Sequence, residues 1–238
     1  VGSNIKGSRP VKYLVSVPYT SEEYKNDFLK TCKLDNVYLI DNTSMNMGFP
    51  ASTNTNMKKF IELGYDWFIV CGTSIRFGES GGLDFIEALE KSNNLVVEAQ
   101  VVYGWHLIAF HRTIIENVGL WDENFVPYGY DDLDYSLRIH KTFSLPGANR
   151  VPLDDGIDLW TKASIDVDDI GMGHSVKTGK VDFRPELNEE TREYYKSKWG
   201  MYPGSGETTT NTYEFPFNNK DYDLKYFPPR DRYEYHVV

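Results

Sequence analysis

Between residues 127 and 138 the chain reads Pro-Tyr-Gly-Tyr-Asp-Asp-Leu-Asp-Tyr-Ser-Leu-Arg, which gathers three carboxylates, Asp131, Asp132 and Asp134, into one short run. A carboxylate can take a proton from an attacking hydroxyl, the general-base half of a group transfer, while positive charge elsewhere holds the departing anion. Leu133 and Leu137 stand four apart, so the acids open a helix, where free backbone N–H groups favour negative charge. The plainer alternative is that two of the three acids cap the helix and pair with Arg138, one turn beyond Asp134.

Such a helix needs a scaffold. Residues 13–17 form a β-branched and aromatic run stopped by Pro18, and read as a first buried strand. Ser21 then caps a helix with Glu22 and Glu23 at its positive end and Tyr24, Phe28 and Leu29 facing the sheet. A second strand over 37–40 is broken by Asp41-Asn42-Thr43-Ser44. A helix over 54–63 follows, with Met57, Phe60 and Ile61 inward and Gly64 as its stop. The third strand is 67–71. Three successive β-α units predict a mostly parallel sheet, with ligands at the carboxyl ends of the strands. Further on, 83–89 reads as an amphipathic helix, 95–102 and 105–110 as strands, and 113–118 as a short helix closed by Gly119. A last helix over 189–199, capped by Asn188 and ended by Gly200, precedes an aromatic-rich tail.

With 238 residues, one α/β domain plus an extension is the expectation. The net charge of −10 argues against a nucleic-acid surface, which needs clustered Lys and Arg. Of the two cysteines, Cys32 and Cys71, the second ends a buried strand, so a disulfide framework is not expected and a cytoplasmic location is. Residues 1–10 lack the apolar core of a signal peptide, and no stretch is long enough for a membrane span.

The order of these pieces carries a resemblance. A strand ending Phe110-His111-Arg112 is followed by Val118-Gly119-Leu120-Trp121-Asp122-Glu123-Asn124-Phe125, then the acid run and Arg138. This resembles family 2 glycosyltransferases, whose segment reads strand, Arg, a helix ending Val-Gly, Phe-Asp-Glu-x-Phe, then Glu-Asp-x-Asp and a later Arg. The likeness extends to Val17-Pro18, to Ile40-Asp41-Asn42-Thr43-Ser44 and to Gly64-Tyr65-Asp66-Trp67. Tyr194-Tyr195-Lys196-Ser197-Lys198-Trp199-Gly200 is similar to the Tyr-Tyr-x-x-Lys-Trp-Gly of bacterial rhamnosyltransferase-like members. Glycosyltransferases of large DNA viruses share the pattern, and about residues 11–200 are covered.

The resemblance implies an α/β, GT-A-like nucleotide-diphospho-sugar transferase fold: a mostly parallel central sheet flanked by helices. Residues 1–10 would be a flexible segment, 11–180 the catalytic domain, and 181–238 a helix and extension packed on it. The implied activity is inverting transfer of a sugar from a nucleotide-diphosphate donor to a glycan or glycoprotein hydroxyl, with UDP the default and GDP and dTDP open. By position, Asp131 is the base and Asp132 the second choice, with Asp standing where Glu is usual. Pro18, Tyr19, Asp41 and Asn42 would grip the nucleotide; an Asx turn closing the strand is the alternative for Asp41 and Asn42.

The departure from the family lies after the third strand. Members usually place Asp-x-Asp there to hold Mn²⁺ or Mg²⁺ against the diphosphate. Here the text is Cys71-Gly72-Thr73-Ser74-Ile75-Arg76, without an acid. The divalent metal therefore stays an open expectation. Thr73, Ser74, Arg76 and Lys177 become donor contacts, with Arg76 or Lys177 as fixed positive charge. His174, in Gly171-Met172-Gly173-His174-Ser175, matches a metal- or phosphate-binding His and could act with Asp166, Asp168 or Asp169, or be an ordinary loop residue. Trp105, His106, Trp121, Tyr128 and Tyr130 offer flat faces for sugar C–H groups, with core packing the alternative. Two rivals remain: a binding module that kept the fold without the chemistry, and a sugar nucleotidyltransferase. The second expects a Gly-rich basic loop where this chain has Pro18-Tyr19-Thr20-Ser21.

Overall fold

The computed structural model describes residues 10–44, 47–100, 105–125, 129–143, 159–170, 185–199 and 202. Its elements, in chain order, are β1 (Tyr13–Tyr19), α1 (Glu22–Thr31), β2 (Val37–Asp41), α2 (Gly48–Leu63), β3 (Trp67–Cys71), β4 (Ile75–Phe77) and α3 (Leu83–Lys91). They continue with β5 (Val96–Ala99), β6 (Leu107–His111), α4 (Arg112–Val118), α5 (Asp131–Phe143), β7 (Trp160–Ala163), β8 (Val167–Asp169) and α6 (Pro185–Trp199).

Six strands form the central sheet in the order β2-β1-β3-β6-β5-β7. β1 runs parallel to β2 and β3, and β5 to β7, while β6 is antiparallel to both of its neighbours. β6 alone therefore runs against the rest, and the expected mostly parallel α/β sheet is what the chain forms. Every residue of β3 is buried, as an apolar run covered on both faces requires. The pleat sends alternate residues to opposite faces. Val15, Val17 and Ile69 join Phe28 of α1 and Phe85 of α3 on one side. Leu14, Phe68 and Val70 join Met57 and Phe60 of α2, Ile114 of α4 and Tyr135 of α5 on the other.

Several boundaries differ from the sequence reading. α2 starts at Gly48, not Asn54, because Ser52, Thr53 and Asn54 are buried and accommodated within the helix. α6 starts at Pro185, ahead of Asn188, and proline suits a first helical turn. Leu29 is 41% exposed, since a residue adjacent to the inward Phe28 is turned about 100° away from it. Trp105 and His106 precede β6 instead of opening it.

A two-stranded antiparallel sheet of β4 and β8 lies apart from the main sheet and was not expected from the sequence. Its register pairs Ile75 with Asp169, Arg76 with Asp168 and Phe77 with Val167. It carries Asp169 back to the end of β3. Both cysteines are free, and among the described residues no helix is long and apolar enough to cross a membrane.

Candidate functional site

The acid run begins on a turn with an unusual backbone. Gly129 has φ 97° and Tyr130 φ 66°, so two consecutive residues occupy the left-handed half of conformational space. Tyr130 O then accepts the helical bond from Asp134 N at 2.9 Å. α5 thus starts abruptly at Asp131. Burial, then the charge of Asp132, pushes the Asp131 carboxyl up to about 8, although N–H groups at Gly129 and Asp131 pull the other way. Asp132 is also raised, first by burial, with Leu133 N donating to its Oδ1 at 2.8 Å and the charge of His106 opposing the rise. Two neighbouring carboxyl groups that resist joint ionisation titrate as a pair.

Asp134 has a different task. It is buried, and its Oδ2 accepts from Arg138 Nε at 3.1 Å, while the same guanidinium donates to Val118 O and Leu120 O. Helix pairing is the right reading for Asp134 and Arg138.

Six of the residues named for the donor fall on one edge of the sheet. β1, β2 and β3 run the same way, so Pro18 and Tyr19, Asp41 and Asn42, and Thr73 and Ser74 all follow or close carboxyl ends of strands. Pro18 pairs with Ile40 and Tyr19 with Asp41, and Asn42 N donates to Tyr19 O at 2.8 Å. Tyr19 is buried, with Lys25 Nζ 4.8 Å from its ring centre. Asp41 Oδ1 accepts from Thr43 N at 2.8 Å and Thr43 Oγ1 at 2.6 Å, which is an Asx turn and holds its carboxyl below the usual range. Asn42 is buried and gives its Nδ2 to Ser52 Oγ at 2.7 Å, while its Oδ1 has no partner among the described residues. Asn42 thus keeps its amide oxygen and the second hydrogen of Nδ2 for a further partner.

At the end of β3, Gly72 N donates to His106 O at 2.8 Å, which fixes the start of β6 beside the β3–β4 loop. Ser74 Oγ stands 3.3 Å from His106 Nδ1, and the same nitrogen is 2.6 Å from Asp169 Oδ2. Sequence reasoning had placed His106 among the aromatic faces and Asp169 beside His174, and had not joined the two. Val167, Asp168, Asp169 and Ile170 carry no strand-like alternation, and the partner of β8 lies about ninety residues earlier, beyond the reach of any local pattern. Arg76 NH1 donates to Thr73 O at 2.7 Å and to Ile75 O at 2.8 Å, bracing its own turn. Its charge also reaches α1, where Lys30 first and Arg76 in part hold Asp27 below its usual range. Lys177, His174 and Tyr128 lie outside the described residues.

Two of the aromatic faces are corrected. Trp121 is 1% exposed and stacked on Tyr135 at 4.5 Å, and Trp105 packs edge-on against Phe110 and Trp121, so both rings serve the core. Tyr130 packs instead toward Tyr195 of α6, with ring centres 6.2 Å apart. Among the described residues no three His, Cys, Asp or Glu side chains stand together as a metal cage.

No family model matches the chain, and no curated protein does. Among solved structures it is similar to protein A197 from STIV, with TM-score 0.40 and 15% identity over 54% of this chain and 78% of that one. It is similar to a glycosyltransferase involved in glycosylation of the major capsid of PBCV-1, with TM-score 0.36 and 9% identity over 64% and 82%. A third is the mannosyltransferase PcManGT from Pyrobaculum calidifontis in complex with GDP-Man and Mn²⁺, with TM-score 0.39 and 13% identity over 55% of this chain and 52% of that one.

Proposed function

We propose that this chain is an inverting glycosyltransferase with Asp131 as its general base. The observation that carries the reading is the position and state of that carboxyl. What supports it is that the charge of His106 acts on Asp132 beside it, and that His106 O accepts from Gly72 N just past β3, so the first turn of α5 is within electrostatic reach of the carboxyl end of β3. A carboxyl pushed up to about 8 is a far stronger base than an ordinary aspartate and is matched to neutral chemistry.

The step balances in one displacement. Asp131 takes the proton of the acceptor hydroxyl as its oxygen bonds to the anomeric carbon. The bond from that carbon to the diphosphate breaks on the opposite face, and the electron pair leaves with the nucleoside diphosphate. Family resemblance makes UDP-sugar the first donor to try, with GDP and dTDP sugars next, each with Mn²⁺ or Mg²⁺ and with chelator, and a glycan or glycoprotein as acceptor. Asp131→Asn and Asp131→Ala are expected to lower turnover by at least a hundredfold with donor affinity preserved. Retained turnover in either variant refutes the role.

The second reading, a nucleotide-sugar or carbohydrate-binding module, is favoured by the absence of any acid from Cys71 to Arg76. Release of free nucleotide from a donor, with water as acceptor, separates an enzyme from such a module. A sugar nucleotidyltransferase is disfavoured by the β1–α1 connection, which offers neither a glycine nor a basic side chain for a triphosphate.

A further inference from the structure

At the end of β3, where the resemblance calls for acids and a metal, the chain places an imidazole instead. His106 is joined through Nδ1 to Asp169, whose side chain is only 1% exposed, while the His106 side chain keeps 25% exposure. A separation of 2.6 Å is at the short extreme of charge-assisted hydrogen bonds, and an aspartate so deeply buried needs a partner of this kind. Nε2 of His106 has no partner among the described residues. The backbone that carries the ring and its partners is also held, because His106 O receives Gly72 N and Ile170 N donates to Ser74 O at 3.1 Å.

We infer that His106, oriented by Asp169 and Ser74, binds the diphosphate of the nucleotide donor through Nε2–H. The inference rests on the glycosyltransferase reading and deepens it. With Nδ1–H committed to Asp169, an Nε2–H that donates to the diphosphate makes the ring an imidazolium, a charge-assisted donor to the phosphate oxygens. The groups facing the ring are Asp169 from β8, Ser74 from the β3–β4 loop and Asp132 from α5. When the glycosidic bond breaks, negative charge grows on the diphosphate, and a fixed donor at that position stabilises it more than it stabilises the intact donor. Asp169 is then a positioning residue, 63 positions away in sequence from the histidine it aims.

The alternative is a plain clamp between β6 and β8. A clamp affects folding, and so binding of every ligand alike. The test measures affinity by calorimetry for UDP, GDP and dTDP and for the matching nucleosides, in the full chain and in His106→Gln and Asp169→Asn, with melting temperature recorded for each. For the diphosphate that binds, His106→Gln is expected to weaken affinity at least tenfold and leave the nucleoside unchanged, with Asp169→Asn losing part of that factor. In the unaltered chain the ¹⁵N signals of the His106 ring are expected to move to the doubly protonated position on adding the diphosphate and not the nucleoside. An unchanged diphosphate-to-nucleoside ratio in folded His106→Gln, or an unmoved ring signal, overturns the inference. Should that happen while Asp131→Asn still abolishes transfer, the glycosyltransferase reading stands and only the role of His106 falls. If none of the three diphosphates binds the unaltered chain, both fall together.

Discussion

Lys198 Nζ lies 2.7 Å from a carboxylate oxygen of Asp122 and 2.7 Å from one of Asp134, with all three side chains shut off from solvent. The contact brings the last turn of α6 onto the first turn of α5 and the segment before it. Around it, Tyr194 OH donates to Asp122 Oδ2 at 2.7 Å and Trp199 Nε1 to Asp134 Oδ1 at 2.8 Å. Phe125 and Leu137 pack with Tyr195 and Trp199 beside the charges. Lys198 and Trp199, read first as part of a motif, are the bolt that holds the acid-bearing helix in place.

Removing one partner from such a cluster leaves an uncompensated buried charge. Lys198→Ala is therefore expected to cost about 3–5 kcal/mol of unfolding free energy, against about 1 kcal/mol or less for an exposed pair such as Arg192 with Glu189. Urea unfolding of both variants checks the contrast. Equal losses would show that Asp122 and Asp134 find water or another cation.

The raised Asp131 carboxyl ties pH to both activity and stability. Folding lifts it from 3.8 to about 8, so across that interval the folded chain holds a proton that the unfolded chain has released. Stability from this group therefore falls as pH rises from about 4 to 8, and the loss is complete above the folded value. Asp131→Asn, which cannot ionise, is expected to melt higher than the unaltered chain above pH 8 and nearly equally at pH 4. Transfer by the unaltered chain should rise with pH through about 8, since the base must lose its proton first. Melting curves and kcat/KM between pH 4 and 9 test both.

Asp132 contributes to that rise through its charge. Neutralising it in Asp132→Asn removes the second-ranked cause and leaves burial, so the inflection of kcat/KM is expected to move to lower pH without disappearing. An unshifted inflection would assign the titration to another group. Loss of all activity would instead make Asp132 the base and reverse the order of the two.

The sequence disclosed what local periodicity can encode. β2 and β3 stand where their apolar runs placed them, β1 starts at Tyr13 as read but runs on through Pro18 to Tyr19, and the acids open a helix as the Leu133 and Leu137 spacing required. The Arg138 pair with Asp134 was also within reach, being one helical turn. Lys198 and Asp122 are 76 positions apart, and the β4–β8 register joins Arg76 to Asp168, so neither leaves a periodic trace. His106 was visible only as a ring next to a strand. Its chemistry depends on a carboxylate delivered by that distant pairing.

Gly129 tests whether the entry turn aims the base. Its φ of 97° is followed by the 66° of Tyr130, and a β-carbon at position 129 meets steric resistance that glycine avoids. Gly129→Ala is expected to cost about 1–2 kcal/mol if the turn is retained. If the turn relaxes instead, Asp131 leaves its orientation and turnover drops with little change in stability. Donor affinity should hold in both cases, because the nucleotide contacts lie at the ends of β1, β2 and β3 and not in this turn. Unfolding and turnover measured together decide between the two outcomes. A variant that keeps full stability and full turnover would show that the strained backbone has no part in presenting the carboxyl.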